Sequence, residues 1–162
     1  MANVVPYFFK QEVLKGNINL TAASPAAGSF WLALFTTAAP YTASSTVYSS
    51  LDAGQVGTVG TAYATGGLSC GLGVIAQTGN FTTVDFPTNP NWAASTITAR
   101  TGVLYQYVDG TTGANQRIMA ILDFGANITS TAGDFTVTFP SPTSDAGSGA
   151  GSGAILSITG NP

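Results

Sequence analysis

The stretch Asp134-Phe-Thr-Val-Thr-Phe-Pro140, DFTVTFP, decides the fold class. Successive side chains of a β-strand point to opposite faces, so Phe135, Val137 and Phe139 share one face while Thr136 and Thr138 share the other. One face of this segment is expected to meet the core and the other to meet solvent. A second stretch, SFWLALF at 29–35, alternates without a polar face: Phe30, Leu32 and Leu34 point one way, Trp31, Ala33 and Phe35 the other. Such a strand is central in its sheet, or its second face lies in an interface.

Outward from these two stretches, β-branched and aromatic runs alternate with clusters of Gly, Pro, Asn and Ser. They predict strands near 17–22, 29–37, 60–65, 72–77, 81–86, 96–108, 117–124, 134–139 and 154–159, the pattern of an antiparallel β-sandwich, jelly-roll-like, or a barrel. Phe30 or Trp31, Val103, Leu104, Ile121, Phe135 and Val137 are its expected core. Asp109-Gly110 is a hairpin turn signal, and the prolines of FPTNPNW predict a loop over 87–95 from which Trp92 caps the core. The Gly/Ser-rich stretch 144–154 reads as a flexible loop ahead of the last strand. A single helix is expected: Pro6 pre-sets a first turn, Phe9 and Val13 lie four apart, and Gly16 can terminate it. Residues 1–16 thus read as an arm or short helix, and 17–162 as one β domain. A helix of about two turns is marginal alone. Tyr7, Phe8 and Phe9 must therefore pack, either on the chain's own sheet or on a neighbouring subunit. We take these three, with Trp31, as candidate interface residues; removing residues 1–13 is then expected to weaken partner binding and leave the β domain folded.

Charged residues are 7% of the chain, against about 25% in ordinary soluble domains. A near-neutral surface lowers the desolvation cost of contact and suits a protein packed against neighbours. With Lys10, Lys15, Arg100 and Arg117 as its only cations and a net charge of −3, the chain cannot neutralise a run of phosphates, so no nucleic-acid partner is expected. No apolar run approaches the roughly 20 residues that cross a bilayer, and the N-terminus lacks the pattern of a signal peptide. No membrane partner is expected, and synthesis is placed in the cytoplasm.

Histidine is absent, which removes the usual general base and zinc ligand. Cys70, in GGLSCGLG, has no basic neighbour to lower its pKa and reads as a small buried hydrophobe; the glycines around it suggest a tight bend or bulge. Asp52, Asp85, Asp109, Asp123, Asp134 and Asp145 stand singly, mostly at strand ends and turns, where aspartate accepts backbone hydrogen bonds. No catalytic residue, metal or cofactor is expected. Arg100, inside a long strand of a nearly chargeless sheet, needs a carboxylate; Asp123 is the first candidate and Asp85 the second, and a bidentate pair would fix strand register.

In order, LKGNINLTA (14–22), TAYATGGL (61–68), VDF (84–86) with NWAASTITARTGVLY (91–105), IMAILDFG (118–125), GDFTVTFP (133–140) and ILSI (155–158) resemble a family of small virion proteins of tailed bacteriophages associated with capsid decoration or cement function. The resemblance implies a β-sandwich on the capsid surface, with the major capsid protein and neighbouring copies as partners. Two stretches depart from the family pattern: AASPAAGSFWLALF (22–35) is longer and uncharged, and SPTSDAGSGAGSGA (141–154) is an insertion. Two other readings stand beside it. One is a tail or neck component; the other is a carbohydrate-binding or hydrolysing surface module, for which Trp92 beside Asp85 would be the signature.

Overall fold

The computed structural model describes residues 3–21, 29–49, 53–78, 81–107, 116–139 and 156–159. The Asp109-Gly110 turn and the 144–154 stretch lie outside them. The chain is all-β, and among the described residues it has one short helix, α1 (Tyr7–Leu14), and nine strands: β1 (Ser29–Phe35), β2 (Leu68–Gly71), β3 (Val74–Thr78), β4 (Phe81–Asp85), β5 (Asn91–Ser95), β6 (Thr98–Tyr107), β7 (Ile118–Thr129), β8 (Gly133–Thr136) and β9 (Leu156–Thr159). Every strand pair is antiparallel, in sheets ordered β2-β1-β6-β7, β3-β4-β9 and β5-β8.

The two-sided pattern of SFWLALF has its expected cause. β1 lies between β2 and β6, and both of its faces are covered. Phe30, Leu32 and Leu34 enter a large core with Phe9, Phe86, Trp92, Leu104 and Phe135. Ala33 and Phe35 enter a second core with Tyr41, Tyr48, Val103, Tyr105, Ile118 and Ile121, against which Trp31 packs half-buried. On β7, a bulge opposite Leu104 and Tyr105 sets Ala120 across from Leu104 and Ile118 across from Tyr105, so Met119 and Ala120 both join the large core. DFTVTFP keeps its alternation as well. Phe135 and Phe139 are buried and Val137 half-buried, while Asp134, Thr136 and Thr138 are exposed, although the ladder itself ends at Thr136.

Several boundaries are corrected. Residues 17–21 form no strand: the Asn19 side chain accepts from the Thr21 amide at 3.0 Å, a local turn that competes with a ladder. Residues 60–65 form no strand either, because Tyr63 turns inward as a bracket, its hydroxyl accepting from the Leu34 amide at 3.0 Å and donating to Gln55 Oε1 at 3.1 Å. The stretch expected as a loop over 87–95 contains β5, whose ladder begins directly after Pro90, where a missing amide costs nothing. GGLSCGLG supplies β2 itself.

Residue 16 is not a structural boundary. Pro6 and Gly16 (φ +75) delimit α1 as expected, but the segment is stitched to β7: Val4 and Ile121 exchange two backbone hydrogen bonds of 2.9 and 2.8 Å. Phe9 is fully buried in the large core, and Val5 and Val13 pack against it. Removing residues 1–13 would therefore take Phe9 out of the domain's own core, and truncating a buried Phe typically costs about 3–5 kcal/mol.

Candidate functional site: an apolar groove and its polar clips

The paired strands β6 and β7 lose register abruptly. Ala99 faces Ile128, yet Thr101 faces Asp123, so Phe124–Asn127 bulge out of the ladder. Arg100 holds the base of this bulge. Its Nε lies 3.2 Å from Asp123 Oδ1, and its Nη1 donates to the Gly125 carbonyl. The Gly125 amide returns to Asp123 Oδ1 at 2.9 Å, with Gly125 at φ +80. The sequence therefore names the right pair, but with a different purpose: the guanidinium divides between a carboxylate and a carbonyl, and stabilises a register break. Asp85 belongs to another sheet, across from Val74, and among the described residues no ion pair joins it to Arg100. One of its carboxylate oxygens is buried without a partner there.

Beside the bulge, the segment Asn3–Val5, β7 and residues 135–139 enclose a groove of about 670 Å³. Val4, Val5, Leu122, Phe124, Ile128, Phe135, Val137 and Phe139 give it apolar walls, and its one ionisable side chain, Asp123, is already held by Arg100. Ile128 is 46% exposed at its rim. Asn3 closes the corner, its Oδ1 accepting from the Asp123 amide at 2.8 Å. Such a lining can bind apolar side chains of an extended segment.

A second clip, absent from the sequence reading, fixes the other end of the N-terminal segment. Glu12 is buried on α1, and Asn17 Nδ2 donates to its carboxylate at 2.9 Å, with Lys15 Nζ at 3.4 Å and Arg117 Nη2 at 3.9 Å. Arg117 Nη1 also donates to the Asn17 carbonyl at 3.0 Å. The Asn17 hydrogen bond foremost, then the neighbouring cations, hold the carboxyl below its ordinary range against the opposing effect of burial. The available signal was weak: a Glu three residues before a Lys reads as a solvated surface pair.

The remaining candidates separate clearly. Phe9 is corrected as an interface residue, because it is spent in the chain's own core. Tyr7 is 68% exposed, with Lys10 Nζ 5.7 Å from its ring centroid, and Phe8 is half-buried. Trp31 stacks on Tyr107 with centroids 4.6 Å apart. Trp92 is 2% exposed, stacked on Tyr63 and edge-on to Phe135, so it offers no sugar platform beside Asp85; it sits in the core from β5, not from a loop. Cys70 is fully buried, and burial pushes its thiol up to about 12. Asp134 accepts from Asn91 Nδ2 at 3.3 Å and the Ala94 amide at 3.2 Å, tying β8 to β5. Among the described residues, no three His, Cys, Asp or Glu side chains gather as metal ligands, and no helix is long and apolar enough to cross a membrane. Compared with protein-family models, curated proteins and solved structures, the chain matches none.

Proposed function

We propose that this protein is a non-enzymatic virion component of a tailed phage, a capsid decoration or cement protein that binds the major capsid protein and stabilises the shell. The reading places it on the capsid surface after synthesis in the host cytoplasm, with a jelly-roll-like β-sandwich as its architecture. The order of its sequence motifs suggests this role. The observation that carries it is the groove beside β7: apolar walls, a half-exposed Ile128 and a single neutralised carboxylate suit an extended apolar segment of a partner protein. Affinity in such a seat comes from apolar contact and backbone hydrogen bonds rather than ion pairs.

Capsid shells depleted of the protein provide the test. Wild type should co-sediment with them saturably, and Ile128→Lys, a change at an exposed position, should bind at least about tenfold more weakly, because it sets a charge against an apolar seat. Shells that take up no wild-type protein, or that bind both chains equally, would overturn the assignment of this groove. A tail or neck position is the alternative, and a cryo-electron map of the intact particle separates the two.

A further inference from the structure

The outer strand of a sheet carries a row of free N–H and C=O groups that templates pairing with another chain. Proteins blunt such edges with charge, proline, a bulge or a covering element. On β7 the N-terminal segment supplies partial cover through Val4. β3, Val74-Ile-Ala-Gln-Thr78, lacks these devices among the described residues. It ends the order β3-β4-β9, pairs with β4 through all five residues without a register shift, and contains neither charge nor proline. Val74 and Ile75 point to opposite faces of the sheet, and they are 51% and 49% exposed. A strand laid along this edge would cover both.

We propose that β3 pairs antiparallel with β3 of a second copy about a two-fold axis at Ala76, joining two three-stranded sheets into one of six strands. Electrostatics selects a second copy as the occupant. A two-fold contact sets identical residues against one another, so any charge on the strand would repel itself; β3 has none. Asp85, across from Val74 on β4, is the one ionisable residue in the described strands of this sheet. With Ala76 on the axis, the two copies of Asp85 stand roughly 20 Å apart, from about 3.3 Å per residue and 4.8 Å per strand. That is about two and a half times the screening length of about 8 Å at physiological ionic strength. The two edges also match in length, with Val74 of one copy opposite Thr78 of the other and Ile75 opposite Gln77. This self-pairing does not rest on the capsid assignment, since the free protein would show it.

Sedimentation equilibrium of the full chain reads the association directly. Wild type should show a reversible monomer-dimer equilibrium, and Ile75→Lys should weaken it at least about tenfold by burying a charge beside the junction. Far-UV circular dichroism confirms that the variant keeps its fold. Independently, Ala76→Cys should form an interchain disulfide on mild oxidation. Val59→Cys, at a position 95% exposed and outside the strands, should not. The native Cys70 is fully buried and does not compete. A wild-type chain that stays monomeric at every concentration overturns the proposal. So does a dimer that Ile75→Lys leaves intact, or an Ala76→Cys chain that cross-links no faster than Val59→Cys.

Discussion

An added methyl at Gly67 would meet the Leu32 carbonyl oxygen at 1.7 Å and the Ala33 Cα at 2.9 Å, and Gly67 already stands at φ +88. Both atoms belong to the backbone of a central strand, so neither can give way. Gly67→Ala should therefore destabilise the protein by about 3 kcal/mol or more, the range of severe core disruption. Gly125 makes the control: at φ +80 it has nothing within 4 Å, and its alanine variant should lose only the left-handed cost of about 1–2 kcal/mol. Urea midpoints at unchanged slope measure both, and equal losses would sink the close-approach argument. At this scale the sequence was partly legible. The glycines of GGLSCGLG announced special backbone, but a bend or bulge was the nearest inference, because contact with a strand some 35 residues earlier leaves no local trace. Arg100 was easier, since a cation in a sheet almost without charge has few possible partners, and Asp123 was the nearer one in the ladder.

At the scale of elements, the N-terminal segment is held by three attachments, two on β7 and one on Arg117 just before it: Asn3 at Asp123, Val4 at Ile121, and Glu12 with Asn17 at Arg117. The last is sensitive to acid. The folded Glu12 carboxyl titrates below its ordinary 4.5, so the unfolded chain takes up the proton more readily than the folded one. Its contribution is present above the unfolded value and is lost as pH falls through the lowered folded value. Urea midpoints should thus fall on acidification below about pH 4.5, and Glu12→Gln should flatten part of that fall while lowering stability at neutral pH. A variant with the wild-type acid profile would remove Glu12 from this role. Elements with strong alternation, β1 and the 134–139 region, were readable because one or both faces are fixed by the core. β5 was hidden by the prolines that precede it. The segment at 60–65 looked like a strand from its β-branched and aromatic residues, but Tyr63 is held in the core by a hydroxyl that bonds across to β1 rather than by a ladder.

For the molecule as a whole, charge is sparse, at 7% of the residues. Among the described residues, Lys15 and Arg117 converge on Glu12, and Arg100 is committed to Asp123, so much of that charge is tied up inside the chain. Raising salt from 0.1 to 1 M shortens the Debye length from about 10 to 3 Å. Binding to depleted shells should survive that change, whereas mild urea, which solvates apolar and peptide groups, should release the protein first. Release by salt ahead of urea would mean that ion pairs carry the contact. The all-β class was legible from periodicity, but the grouping of strands into sheets was not. β1 finds β6 about 70 residues away, and no feature of either strand names the other. The Phe124–Asn127 bulge has a practical consequence. Arg100 and Asp123 fasten its base at Gly125, while Ala126 and Asn127 stand exposed beyond that fastening. Foreign peptide spliced between Ala126 and Asn127 would lengthen a detour the backbone already makes, leaving the ladder on either side in register, so this position is a natural socket for epitope display.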